Sequence, residues 1–261
     1  MTAEWMDIPA QRWDGADIDC DACAHAALRA EAGCEPGRTC AQDAYARRIE
    51  RFFHAHRDLA DAHLAHPYFE VRAIAARYAD VFQLPGLMDD PDETVRMQLA
   101  LRLPQRQLLA LRTDPHREVR IRVAQRLPAD LLASMVADDD YGVRAFVARR
   151  LPEALLPLMS TDADPMVRCE VAQRVQMPAL WRLARDPEPQ VRRIVAQRLP
   201  VPLLSAFVDD ADLLVRWEAA GRAVGDVLAQ LSRDADEEVR GRASQRLPTL
   251  RILSFTENEH G

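Results

Sequence analysis

The sequence predicts an all-α repeat solenoid with no β-sheet, and three observations carry that expectation. Val-Arg pairs recur at Val71, Val95, Val119, Val143, Val167, Val191, Val215 and Val239, each 24 residues after the last. The period holds without insertion from about residue 66 to 257, the mark of units too small to fold alone that bury their apolar faces by stacking on neighbours. In most units a Leu-Pro step closes a helical pattern, and apolar side chains three apart follow it. No stretch alternates apolar and polar residues for long enough to argue a strand.

Taken in chain order, the first element is a cysteine-rich head. The opening residues, Met1 to Asp7, have neither the basic start nor the apolar stretch of a secretory signal, and no run approaches the roughly 18 apolar residues that span a bilayer. A cytoplasmic protein is therefore expected. Cys20, Cys23, Cys34 and Cys40 are spaced C-x2-C-x10-C-x5-C, and only Cys169 lies elsewhere. Four thiols gathered so closely in a reducing compartment point to metal rather than to disulfides. Gly33, Pro36 and Gly37 permit tight turns around them. The spacing follows neither common ferredoxin pattern, and a four-Cys zinc site would tolerate it, so spacing alone leaves iron–sulfur and zinc open.

The stretch from Ala41 to Ala65 reads as a helix, with Tyr45, Ile49, Phe52, Phe53 and Leu59 at helical intervals, joining the head to the repeats and covering their apolar end. His25, His54, His56, His63 and His66 crowd this region. Without ligand spacing they read as bystanders on a polar face rather than as a second metal site.

Each repeat is numbered from the position held by Asp90, Asp114, Asp138, Asp162, Asp186, Asp210 and Asp234, with His66 in the first unit. That Asp is expected to be the N-cap, with Pro67, Pro91, Pro115 and Pro187 at the first helical position. The helix runs through Val-Arg and a small residue (Ala76, Ala100, Ala124, Ala148, Ala172, Ala196, Ala220, Ser244) to Leu103-Pro104, Leu127-Pro128, Leu151-Pro152, Leu199-Pro200 and Leu247-Pro248. Proline bars the residue before it from α geometry and stops the helix. The return segment carries pairs such as Leu108 and Leu111, Leu132 and Met135, or Leu204 and Phe207. A spacing of three suits a short 3₁₀ segment.

The Arg of each Val-Arg pair falls inside the apolar arc of its helix, so it needs a carboxylate or carbonyl partner, and the Asp of the same or an adjacent unit supplies one. A second row, Arg102, Arg126, Arg150, Arg174, Arg198, Arg222 and Arg246, lies at the edge of the arc and is the better candidate for a partner surface.

The pattern Asp-Pro, Val-Arg, Ala, Arg-Leu-Pro and Leu-x-x-Leu at this period resembles the leucine-rich repeat variant family over about three quarters of the chain. That resemblance implies alternating α and 3₁₀ helices in a right-handed superhelix. A HEAT-like array is the runner-up, though two full helices per unit ordinarily need a longer period. Gln176, with Pro178 two residues later, and Ala223-Val224-Gly225 break the pattern, which reads as drift in a tolerant array. Family members with a Cys-rich head carry a [4Fe–4S] cluster, and the resemblance makes Cys20, Cys23, Cys34 and Cys40 its ligands.

The expected organisation is a cysteine-rich domain with its joining helix at 1–65, eight repeats at 66–257 and a polar tail at 258–261. No phosphate loop, nucleophile motif or paired-acid arrangement supports an enzyme. The formal charge of −7 gives nucleic-acid binding little support, although every basic residue is Arg. Expected instead is a scaffold that binds a protein partner on its repeats, with a structural or redox-sensing cluster. Electron transfer to a docked partner is the alternative, and a zinc-capped HEAT-like interaction protein a further one.

Overall fold

The computed structural model describes residues 8–257, so the expectations for Met1–Asp7 and for the tail at 258–261 fall outside the described residues. The chain divides into two compact units, Met1–Pro128 and Ala129–Gly261.

The first unit begins with turns and isolated bridges, Gln11 with Asp17, Arg12 with Asp43 and Glu35 with Thr39. Within them lies the short helix α1 (Ala26–Ala30), followed by α2 (Ala46–Ala55). The joining segment is thus less helical than its apolar spacing predicts. After α2 it continues as two 3₁₀ turns, Arg57–Leu59 and Asp61–His63. The physical reason lies in His56, at the C-cap, whose ring nitrogen bonds the Gly33 carbonyl of the head instead of facing water. Arg48 of α2 is buried, paired with Asp43 at 3.1 Å, and donates to the Ile8 carbonyl at 2.6 Å, clamping the start of the chain.

The repeats of this unit supply α3 (Phe69–Tyr78), α4 (Glu93–Arg102), the single turn α5 (Gln105–Leu108) and α6 (Arg117–Arg126). Returns at Leu84–Leu87 and Leu109–Thr113 are 3₁₀. Helix α2 packs on α3, α3 on α4 and α4 on α6. The second unit contains α7 (Tyr141–Arg150), α8 (Pro165–Ala172), the short α9 (Ala179–Arg182), α10 (Pro189–Arg198), α11 (Leu213–Ala220), α12 (Gly225–Leu231) and α13 (Glu237–Glu257). Its 3₁₀ returns are Leu132–Met135, Glu153–Met159, Leu183–Arg185 and Val201–Phe207. Among the described residues no strand forms, and the 3₁₀ returns distinguish the fold from a HEAT-like pair of full helices.

The repeated valines from Val71 to Val239 and the alanines from Ala76 to Ala220 are fully buried. Each buried Val contributes about 1.5–3 kcal/mol relative to exposure, and the Ala leaves room for the neighbouring helix to approach. Where Gln176 and Val224 replace the stop proline, helices α8 and α11 end at Ala172 and Ala220, two positions earlier than their counterparts, whereas α3, with Asp80 at that position, ends in register at Tyr78. At the other extreme, Leu247-Pro248 does not stop α13, which continues to Glu257. A proline removes one helical hydrogen bond without forbidding helix beyond it, and Thr249-Leu250-Arg251-Ile252-Leu253 tolerates helical geometry.

The N-cap lies two residues later than the sequence predicts. Asp92, Asp140, Asp164 and Asp212 accept from the first-turn N–H groups of α4, α7, α8 and α11. Helical prolines stand at Pro165 and Pro189 instead of at the residue after the repeated Asp. The repeated Asp is occupied elsewhere. Asp90 accepts the Asp92 N–H at 2.9 Å and takes a bidentate bond from Arg72, at 2.7 Å from Nε and 2.8 Å from Nη2. The same forked pair recurs as Arg96–Asp114, Arg144–Asp162, Arg168–Asp186, Arg192–Asp210 and Arg216–Asp234. Each Arg also donates from Nη1 to a carbonyl of its own unit, as Arg144 does to Asp138 at 2.7 Å. The predicted ladder therefore exists, and its carboxylate comes from the next unit.

The second arginine row is not a free partner surface. Arg102, Arg126, Arg174, Arg198, Arg222 and Arg246 donate from Nη1 to the carbonyls of Ala76, Ala100, Ala148, Ala172, Ala196 and Ala220, at 2.6–3.0 Å. At Ala100, Ala148 and Ala196 residue i+4 is Pro104, Pro152 or Pro200, which has no N–H, and the next repeat's guanidinium supplies the missing donor. Ala76, Ala172 and Ala220, with Asp80, Gln176 and Val224 at i+4, take the same bond at the ends of their helices.

Candidate metal centre

The cavity in the cysteine-rich head is built by three short segments and one helix. Cys20 and Cys23 lie on the loop before α1, Cys34 follows α1, and Cys40 precedes α2. Asp19 shapes the first loop by accepting the N–H groups of Asp21 and Ala22 at 3.0 and 3.1 Å. Gly37, at φ +78°, allows the turn bridged by Glu35 and Thr39.

All four cysteines line this one cavity, with Ile18, Ala41 and Phe52 as apolar walls and His25, Arg29 and Glu35 as polar ones. The structure thus brings together every residue the sequence put forward for the site and leaves out Cys169, which is buried on α8. The thiols are free of disulfides. Cys40 is buried and the other three are half-buried.

Backbone amides point at two of the sulfurs. The His25 N–H donates to Cys23 Sγ and the Gln42 N–H to Cys40 Sγ, both at 3.4 Å. Burial pushes the Cys40 thiol up to about 11, outweighing the Gln42 bond, and burial also raises Cys34, with Cys23 and Cys20 adding to it. Four adjacent thiolates would repel one another, so the set ionises together only around positive charge. Among the described residues, no three or more His, Cys, Asp or Glu side chains are placed to hold a single metal ion. The four sulfurs instead ring a cavity. A set of four thiols with N–H donors to sulfur is chemically suited to an iron–sulfur cluster, whose sulfurs and thiolates accept such bonds.

The histidines are not bystanders on a polar face. Rings of His25, His56 and His63 pack around Phe52 with centroids 5.0, 5.1 and 6.2 Å away. His25 Nε2 meets His63 Nε2 at 3.1 Å, and His63 Nδ1 meets the Leu59 carbonyl at 2.9 Å. A carbonyl only accepts, so Nδ1 of His63 carries its proton; in the neutral ring Nε2 accepts, and His25 donates from Nε2. His56 Nε2 donates to the Gly33 carbonyl at 2.8 Å. A Cβ at Gly33 would stand 3.4 Å from the His56 ring and 3.1 Å from the Leu28 carbonyl, which explains the glycine there. His25 is held below its ordinary value by burial, then by His63 and His56. Only His54, against Tyr78, remains on the surface as expected.

Residues 10–62 match the family described as LRV protein FeS4 cluster, and residues 141–164 match the leucine-rich repeat variant family. A solved structure described as a leucine-rich repeat variant with a novel repetitive protein structural motif is 43% identical, with a TM-score of 0.84 over 88% of this chain and 99% of that one. The chain belongs to the leucine-rich repeat variant family. A Rhodobacter capsulatus protein described as an uncharacterized 27.7 kDa protein in nifB 3'region is 49% identical over 92 residues. That match covers 35% of this chain and 38% of the relative's length. This leucine-rich repeat variant protein therefore carries an iron–sulfur-binding region at its head. Among the described residues, no helix is long and apolar enough to cross a membrane.

Proposed function

We propose that Cys20, Cys23, Cys34 and Cys40 hold a [4Fe–4S] cluster that staples the cysteine-rich head over the first repeat, and that the repeats form a protein-binding scaffold. The observation that carries this reading is the placement of all four thiols around one cavity whose wall includes Phe52 of α2, the helix packed on the first repeat helix α3. When bound, the cluster supplies iron–thiolate bonds that join three loop segments and a centre that can accept one electron. The chain's own residues form the apolar walls, direct two amides at sulfur and stack the head on α3.

The partner is a protein and the site of binding is the second unit. Tyr141, Met166, Leu213 and Leu214 are 42–56% exposed in the first turns of α7, α8 and α11. The corresponding positions of the first unit's α4 and α6 hold Glu93 and Thr94, and Arg117 and Glu118. Exposed apolar side chains repeated on one helix turn suit a protein surface better than a phosphate backbone or a bilayer. The role is binding rather than catalysis, in a cytoplasmic compartment that keeps the five thiols reduced.

Anaerobic purification with iron, sulfide and zinc analysis tests the cofactor. The expected result is about four iron and four sulfide per chain with broad absorbance near 400 nm, as a Cys-held cluster gives. One zinc without sulfide would overturn it. Partner capture with wild-type protein and with Met166→Asp tests the scaffold, and equal recovery by both would remove the second unit's surface from the reading.

A further inference from the structure

The two cysteine loops are each tied to the joining segment by a histidine that is not itself expected to touch the cluster. His63 Nε2 accepts from the ring Nε2 of His25, two residues beyond Cys23, and His63 is anchored behind by the Leu59 carbonyl. His56 holds the Gly33 carbonyl, one residue before Cys34. His63 is buried, so a lost partner there is not replaced by water.

From His63 the bonds continue into the repeats. The His66 N–H donates to the His63 carbonyl at 3.1 Å, Arg72 Nη1 donates to the His66 carbonyl at 2.8 Å, and Arg72 Nη2 donates to Asp90 Oδ1 at 2.8 Å. His66 stands where every later unit has Asp, and its carbonyl and ring serve this junction. An unbroken series of hydrogen bonds therefore joins the wall of the cysteine cavity to the first step of the arginine ladder.

We infer that His56 and His63 are positioning residues of the cluster site, and that His63 also couples that site to the first repeat. The inference rests on the proposed cluster reading. His56 fixes the loop of Cys34, and His63 fixes the loop of Cys23 together with the amide aimed at its sulfur. Strain or order in the cysteine loops passes through His63 and His66 to α3, whereas His56 reaches that series only by a longer route, through the Leu59 N–H on its carbonyl at 3.2 Å and the Leu59 carbonyl on His63 Nδ1.

The test uses the full-length, cluster-loaded protein and the variants His56→Phe, His56→Gln, His63→Phe and His63→Gln. Phenylalanine keeps a ring and removes the bond, while glutamine keeps a donor or acceptor. Three readouts are followed: release of iron to a chelator, the electron paramagnetic resonance spectrum of the reduced cluster, and hydrogen exchange of α3 amides. Both phenylalanine variants are expected to release iron at least about threefold faster and to alter the spectrum, as loss of one partly buried hydrogen bond predicts. Glutamine at position 56 is expected to restore both. Exchange in α3 should rise more in His63→Phe than in His56→Phe, whose route to α3 is longer.

Wild-type release and spectra in both phenylalanine variants would overturn the positioning roles. Altered release with unchanged α3 exchange in His63→Phe would overturn the coupling. If His63→Phe does not fold, His25→Phe breaks the same bond from the half-buried side and is read in the same way. Zinc in place of iron would sink the cluster reading, and the zinc release rates of the same variants would then decide the positioning roles.

Discussion

Arg126 donates from Nη1 to the carbonyl of Ala100 at 2.7 Å, the acceptor whose intrahelical donor is missing because residue 104 is proline. One feature that stops a helix thus creates the acceptor that binds the next repeat. At this junction, and at Ala148 and Ala196, terminating the helix and stacking the units are a single device.

Arg126→Ala is expected to lower stability by about 1–3 kcal/mol, the cost of stranding a partly buried carbonyl. Arg106→Ala, at an exposed position, serves as the control and should change little. In a Pro104→Ala background residue 104 regains its N–H, so the cost of Arg126→Ala should shrink by about 1 kcal/mol. Urea denaturation followed by helical circular dichroism measures all four. An equal cost in both backgrounds would show that the guanidinium acts through packing alone.

The ladder makes a second demand. Arg144 and Asp162 form their forked bond with side chains only 15% and 7% exposed. Arg144→Leu should therefore cost about 3 kcal/mol or more, because it leaves a buried carboxylate without its counter-charge. Adding Asp162→Asn should recover part of that loss. A mild single-variant effect in the same denaturation assay would mean that water satisfies Asp162 when the arginine is gone.

Acid should dismantle the ladder from its carboxylates. Burial alone would raise Asp162, yet the bonds from Arg144 and the Asp164 N–H hold it below its ordinary value of 3.8, and Asp90, Asp210 and Asp234 behave alike. A folded-state value below the unfolded one means that stability is fully present above about pH 4 and lost as pH falls through the depressed values. Denaturation midpoints between pH 6 and 2.5 should decline most steeply in the acid part of that range. The Asp162→Asn variant should show a shallower decline, and a parallel curve would assign acid sensitivity to other groups.

Much of this architecture is legible in the sequence because it repeats. The period exposes Val95, Ala100 and Leu103 as one buried face, and an Arg inside that face demands a carboxylate. The N-cap is displaced by two residues because Asp90 is claimed by Arg72, a contact 18 residues distant. The target of Arg126 is a backbone carbonyl, which leaves no residue signature, though the missing N–H of Pro104 was a usable signal. His25 and His63 are 38 residues apart in a region without period, so nothing in their spacing announces the bond between them. The cysteine spacing gathers the right side chains, while the choice of group they hold rests on family likeness rather than on spacing.

The cysteines supply the last prediction, because the chain provides its own control. Serine at Cys20, Cys23, Cys34 or Cys40 should each abolish or sharply reduce bound iron and sulfide, since an alcohol is a poor substitute for a thiolate on iron. Cys169 lies outside the cavity, buried on α8, with its thiol pushed up to about 11 by burial and then by Glu188, Asp186 and Glu170. Cys169→Ser should keep the full iron content, and in wild-type protein stripped of metal Cys169 should be the slow thiol toward iodoacetamide at pH 8, where little thiolate forms. Cys40, buried and equally raised when the site is empty, should share that slowness. Mass spectrometry of the alkylated peptides gives the order directly. Loss of iron in Cys169→Ser, or fast alkylation at that position, would place Cys169 in the chemistry of the site and break the four-ligand assignment.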